Sequence, residues 1–314
     1  MPAGQADVTL FEGSSNVSIS HSTFNVETAP SQRAGFKGWE KVLSPSAFHN
    51  SGERYEPPRC HPRTRKTILE KIMAWIRGEI NTEAFVFWLN GSVGVGKSAI
   101  GQTIAEICEE GLLLATFFFG RSDPTRNNEK SFITTLAYQI GLNVSRARHH
   151  IEQVFDHDPV IHMRSLEMQM KKLVTEPLRR ATAEQTNIPP LVVVDGLDEC
   201  IDPSMRCKIL DIIHHSSYSL AATGPCLIFL VGSRSEHEIS LKFDSIPLRD
   251  ITTHHTLGDT ADANEDILYF LEDKFQEVKE THLLKHSIPS YGQVRRMSIG
   301  SYGQHLASSS MPTS

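Results

Sequence analysis

Eight consecutive residues, Gly91-Ser92-Val93-Gly94-Val95-Gly96-Lys97-Ser98, set a lysine and a hydroxyl directly behind three glycines, a combination that can grip phosphate. Glycine lets the chain turn tightly enough for successive N–H groups to face phosphate oxygens, and a helix opening at Lys97-Ser98-Ala99 would add its positive N-terminal end. Lys97 can reach the β and γ phosphates of a nucleotide. The Ser98 hydroxyl can complete the coordination of Mg²⁺, which takes few protein ligands and leans on phosphate oxygens for the rest. Further along, Asp195-Gly196-Leu197-Asp198-Glu199-Cys200 offers the carboxylates a magnesium nucleotide needs, and Gly232-Ser233-Arg234 offers a cation that could sense the γ-phosphate. A chance glycine-rich turn, a turn merely rich in acids and an ordinary exposed arginine are the competing readings. Asn90-Gly91-Ser92 is also a glycosylation sequon, which a phosphate loop in a cytosolic protein disfavours.

The flanking segments decide whether these groups can meet. Ala84-Phe85-Val86-Phe87-Trp88-Leu89 runs into the glycine loop and Ser98 to Ala105 leaves it, reading as strand, loop, helix. Leu112 to Phe119, Leu191 to Val194 and Leu227 to Val231 are further apolar runs without alternation. Such runs imply strands covered on both faces, the habit of parallel sheets in α/β proteins. The acidic turn and Gly232-Ser233-Arg234 each follow one of them directly, at the sheet edge where open α/β proteins hold their ligands. Helical spacing predicts further helices over about 67–76, 131–142, 146–155, 164–181 and 264–284.

Bulk composition narrows the partners. The net charge of −6 gives no reason to expect nucleic acid, and no stretch approaches the length of a membrane span. Five cysteines without a CxxC pair, mostly beside apolar runs, read as reduced, buried thiols of a cytoplasmic protein. Residues 1–35 are rich in Ser, Asn, Thr and Gly and read as a disordered arm with room for a short hairpin at most. Residues 36–82 read as a lead-in in which Trp39, Leu43, Phe48 and Tyr55 dock an irregular segment before a helix; residues 83–284 form the core, and 285–314 a disordered tail. The basic cluster at His61 to Lys66 could steer a nucleotide or be a solvated patch, and Arg121 and Arg126, in the loop after the second apolar run, could lean towards phosphate or simply face water.

Together these pieces resemble the NACHT family of signal-transducing P-loop NTPases (the STAND class), in the form common in NLR-like proteins of mushroom-forming fungi and related to the nephrocystin-type NACHT module. The resemblance runs from about Gly38 to Leu284 and rests on Trp-Leu-Asn-Gly-Ser-Val-Gly-Val-Gly-Lys-Ser at 88–98, Phe-Phe-Phe-Gly-Arg-Ser-Asp-Pro-Thr-Arg-Asn-Asn at 117–128, Asp-Gly-Leu-Asp-Glu-Cys at 195–200 and Gly-Ser-Arg at 232–234. It implies a three-layer αβα fold of the ASCE type, with the Arg234 strand between the phosphate-loop strand and the Asp195 strand. It implies Mg²⁺ on Ser98 and Asp195, ATP or GTP across residues 91–99, and Asp198 or Glu199 polarising the attacking water. Family members continue into a helical section, a winged helix and sensing repeats, so the expectation is a chain truncated after its NTPase core. Read in a shifted frame, codons 301–309 permit Ile-Trp-Ala-Thr, similar to a family segment, and the tail is expected to be a displaced reading frame.

The expected function is a nucleotide-dependent signalling switch with slow hydrolysis at most, open to nucleotide-dependent self-association. The rival is a non-catalytic interaction fragment in which nucleotide only holds the fold together. A small-molecule kinase would need an acceptor-binding lid that the sequence does not show.

Overall fold

The computed structural model describes residues 38–54, 56–182, 190–221, 225–258 and 261–281. The expected N-terminal arm, Tyr55 and the C-terminal tail lie outside the described residues. In chain order the elements are α1 (Lys66–Ile76), β1 (Val86–Gly91), α2 (Lys97–Cys108), β2 (Leu113–Phe118), α3 (Phe132–Asn143), α4 (Ser145–His157), α5 (Leu166–Met170), α6 (Glu176–Thr182), β3 (Leu191–Asp195), α7 (Pro203–Ala221), β4 (Ile228–Ser233), α8 (His237–Asp244), α9 (Ile246–Arg249), β5 (Thr252–Leu257) and α10 (Ala261–Thr281). A π-helical turn, Lys171–Thr175, joins α5 to α6.

The five strands pair in parallel in the order β2-β3-β4-β1-β5. The Arg234 strand therefore lies between the phosphate-loop strand and the Asp195 strand, as the resemblance implies, and the fold is that of a P-loop NTPase-type α/β domain. Two apolar layers explain the unbroken hydrophobic runs. Val86, Trp88, Val192, Val194, Phe229 and Val231 point to one face, under α3 to α9. Phe87, Leu89, Leu191, Val193, Ile228 and Leu230 point to the other, under α1 and α2. Because strand side chains alternate, covering both faces requires an apolar residue at every position.

β5 breaks that pattern. Its Thr-Thr-His-His-Thr-Leu is only partly covered, as suits an edge strand with one side wet. At the opposite edge, β2 is fully buried and the side chains of α3 close it. Gln139 accepts from the Thr116 amide at 3.0 Å and donates to its carbonyl at 2.7 Å, and Asn143 donates to the Leu114 carbonyl at 2.8 Å. Side-chain amides thus replace a neighbouring strand.

The lead-in crosses this same flank. Trp39 is buried with its ring centroid 3.8 Å from that of Phe155, and Phe48 stacks on Tyr138. Ser44 donates its amide to Thr135 Oγ1, and His49 donates its amide to Thr116 Oγ1. Two cysteines, Cys108 and Cys200, are buried as expected, whereas Cys226 is exposed and Cys60 and Cys207 are half-buried; all five are free. No helix among the described residues is long and apolar enough to cross a membrane.

Replacing Trp39 with Ala is expected to remove about 3–5 kcal/mol of unfolding free energy, the usual cost of emptying a buried aromatic site. Urea denaturation measures it, and a loss below about 1 kcal/mol would show that the lead-in contributes little to the fold.

Candidate functional site

The loop from Gly91 to Gly96 turns out of β1 and into α2. Gly94 and Gly96 take φ of +82° and +91°, a left-handed backbone that side-chain-bearing residues rarely adopt, and Gly96 caps α2 from that conformation. Lys97 folds back over the loop, donating to the Gly91 carbonyl at 2.7 Å and the Ser92 carbonyl at 2.8 Å. Burial lowers its pKa, while the charges of Asp198, Asp195 and Glu199 oppose that and Arg234 adds to it. The amino group thus lies within the field of the carboxylates at the neighbouring strand ends. Val93 is exposed at the loop tip, and Val95, Gly96, Ser98 and Ala99 are half-buried.

Asp195 ends β3 with its carboxylate buried, and the Ser98 side chain stands beside it. Burial pushes its pKa up to about 6; the charge of Glu199 adds to this, while the Ser98 hydroxyl and the charges of Arg54 and Lys97 oppose it. One glycine makes the room. A methyl on Gly232 of β4 would overlap Asp195 Oδ1 outright, whereas one on Gly101 of α2 would sit 3.7 Å from that oxygen, in ordinary contact. A buried carboxylate beside a hydroxyl is a hard-oxygen pair that suits Mg²⁺. Among the described residues no cluster of three or more His, Cys, Asp or Glu could hold a metal unaided, so phosphate oxygens would have to complete the shell.

Gly196, at φ +70°, turns the chain after β3 into the short 3₁₀ turn Leu197–Glu199. Asp198 is buried and both its oxygens are taken: Oδ1 accepts the Arg234 amide at 2.9 Å and Oδ2 lies 3.0 Å from Arg234 Nε. Glu199 accepts the Arg121 amide at 2.9 Å through Oε2, and its side chain is more open. Arg121 Nη2 also donates to the Asp198 carbonyl at 3.2 Å. The two acids that the sequence leaves equivalent are therefore distinct. Asp198 holds Arg234, and Glu199 stands at the rim.

Other expected roles change. Arg126 does not reach towards a phosphate. It pairs with Asp123 at 2.9 Å and donates to the Phe118 carbonyl, closing the end of β2. Burial would raise the Asp123 carboxyl, but bonds from Thr125, Arg126 and Ser46 hold it well below the usual carboxylate range. The basic cluster at 61–66 is neither a free steering patch nor fully solvated. Arg63 pairs with Asp273 at 2.6 Å and Glu272 at 3.3 Å on α10, and the Arg65 amide donates to Asp266 at 2.9 Å. Arg65 Nη2 also donates to the Val95 carbonyl inside the glycine loop, 2.9 Å away. That contact, and the one between Arg54 and Gln102, carry no local sequence signal, because both span tens of residues between unrelated segments.

The match to a family model now has a structural setting. Residues 63–234, more than half of the chain, match the model described as Nephrocystin 3, N-terminal. The chain belongs to the nephrocystin 3 N-terminal family. In this nephrocystin 3 N-terminal domain the matched span takes in α1, the glycine loop, the Asp195 turn and Arg234, and stops before β5 and α10. A search of the curated proteins finds no match to it.

Gly232→Ala is expected to displace the Asp195 carboxylate and to cost about 1–3 kcal/mol, as overpacking does. Gly258→Ala, where an added methyl meets nothing, is the control and should stay within about 0.5 kcal/mol of the parent. Melting temperatures of the two variants decide it: equal values would remove Gly232 from the account.

Proposed function

We propose that this domain binds ATP or GTP together with Mg²⁺ and works as a nucleotide-dependent signalling switch of the NACHT type, hydrolysing its ligand slowly at most. The observation that carries the reading is the meeting of three strand ends. Lys97 and Ser98 follow β1, Asp195 ends β3, Arg234 follows β4, and Ser98 stands beside the buried Asp195 carboxylate. Lys97 now bonds to loop carbonyls, and a phosphate group would exchange those neutral acceptors for charged oxygens. Ser98 and Asp195 would hold the metal, which when bound neutralises charge developing between the β and γ phosphates.

Asp198 serves better as the holder of Arg234 than as a base, since both its oxygens are engaged. Glu199, with one oxygen on the Arg121 amide, is the residue we assign to polarising water. A base already half engaged at the rim favours slow turnover over rapid catalysis. The same observation supports the second reading, a non-catalytic binder.

Thermal melting separates binding from its absence. Nucleotide at 100 times its Kd should add about 2.7 kcal/mol, or roughly 5–10 °C for a domain of this size. Lys97→Ala should weaken that binding by one to two decades, since a charge-assisted contact contributes about 1.5–3 kcal/mol. An unchanged melting curve for the parent protein would overturn the reading.

Glu199→Gln should keep the thermal shift and abolish phosphate release, because an amide cannot take a proton from water. If Asp198→Asn alone does so, the role belongs to Asp198, and if the parent releases no phosphate the binder reading stands.

A further inference from the structure

Arg54 lies in the lead-in, far in sequence from every motif, yet its guanidinium is carried into the flank of the site. It stacks over the Phe118 ring, 3.9 Å from the centroid, and Phe118 is the β2 residue paired in register with Asp195. One nitrogen, Nη1, donates to Gln102 Oε1 at 2.8 Å and to the Phe48 carbonyl at 3.4 Å. Gln102 stands one turn beyond Ser98 on α2, beside Gly101, which packs on Asp195. Gln102 is itself fully buried and donates to the His49 carbonyl at 2.9 Å and to Glu106 at 2.7 Å.

The charge arrangement is unusual. Arg126 pairs with Asp123, Arg234 with Asp198, and Arg59 with Glu106, but among the described residues Arg54 makes no ion pair and its bonds go to neutral acceptors. Withdrawing a guanidinium from water without a carboxylate partner is costly, and burial lowers the Arg54 pKa to about 10. The carboxylate of Asp195 opposes that loss. A cation held at such cost beside the metal corner, on the side opposite Lys97, is accounted for by what it does to that corner.

We propose that Arg54 is a positioning residue for the magnesium corner, holding the Asp195 carboxylate against Ser98 from the β2 side and so coupling metal-nucleotide binding to the docking of the lead-in. This rests on the nucleotide reading above. Ser44, His49, Arg54 and Cys60 of the lead-in are tied to the core at Thr135, Thr116, Gln102 and Thr103, so anything that lifts them also withdraws Arg54. Undocking the lead-in then weakens magnesium binding without touching the glycine loop. Lys97 and the loop amides would still hold the phosphates.

The test is retention of a fluorescent ATP analogue by the full chain, titrated with MgCl₂ and repeated in EDTA. Arg54→Gln is expected to raise the magnesium midpoint about tenfold, the usual effect of removing a group that orients a metal ligand, while affinity in EDTA stays within about twofold. Arg54→Lys keeps the charge without the fork and should fall between variant and parent. A merely structural role would weaken both arms together and lower the melting temperature in parallel. Equal magnesium midpoints for parent and Arg54→Gln, or equal losses with and without metal, overturn the proposal while leaving the nucleotide site intact. If Arg54→Gln does not fold, an unshifted midpoint in Arg54→Lys overturns it instead. A parent chain that retains no analogue under any condition overturns the nucleotide reading and this inference together.

Discussion

A carboxylate removed from water at the end of a central strand is the constraint around which this domain is arranged. Asp195 cannot be buried there unless the neighbouring strand gives way, and it does so through Gly232. Ser98, from the first turn of α2, sets a hydroxyl beside that carboxylate. The pairing fixes α2 against β3, and with it the glycine loop that starts α2. In a buried polar cluster every member depends on the others being in place, so sheet order, glycine placement and helix start are coupled rather than separate features.

Two peripheral segments press on the same corner from opposite sides. The lead-in reaches it through Arg54 and Gln102 along the β2 flank. On the β5 side, Arg65 grips the Val95 carbonyl of the loop while its own amide is held by Asp266 of α10. Arg63, His61, Tyr269 and Phe270 extend that clasp: Arg63 forms ion pairs with Asp273 and Glu272 and a cation–π contact with Tyr269, and His61 meets Phe270 in a T-shaped ring contact. These outer contacts are charged and partly wet, so each adds little stability and is weakened by salt, whereas the inner corner is buried.

Much of this was legible in the amino-acid order because both faces of the sheet are covered. Apolar residues stand at nearly every position of β1 to β4, so Leu191-Val192-Val193-Val194 and Leu227 to Val231 announce themselves, and the acids or arginine that follow are placed with them. β5 was not legible: Thr252 to Leu257 is polar, half-exposed and carries two histidines, and only its pairing with β1 makes it a strand. The long helix α7 was also unmarked, since its Ser- and His-rich sequence has weak amphipathic contrast despite burying Ile209, Leu210 and Ile213. Within the site, the types at 91–98 and 195–199 were readable but their partners were not. That Asp198 is closed by Arg234 and Glu199 is left at the rim follows from one 3₁₀ turn after Gly196, which spacing alone does not reveal.

Central to the proposed function is a half-built metal site, Asp195 with Ser98, that only a nucleotide completes. Electron paramagnetic resonance of Mn²⁺, used in place of Mg²⁺, addresses this with the wild-type chain. Expected are free-ion spectra with protein alone and, once ATP or GTP is added, a phosphorus-coupled spectrum different from that of Mn²⁺–nucleotide without protein, reverting to the protein-free form in Asp195→Asn. Bound Mn²⁺ without nucleotide, or an Asp195→Asn spectrum identical to that of the wild type, would contradict the proposed site.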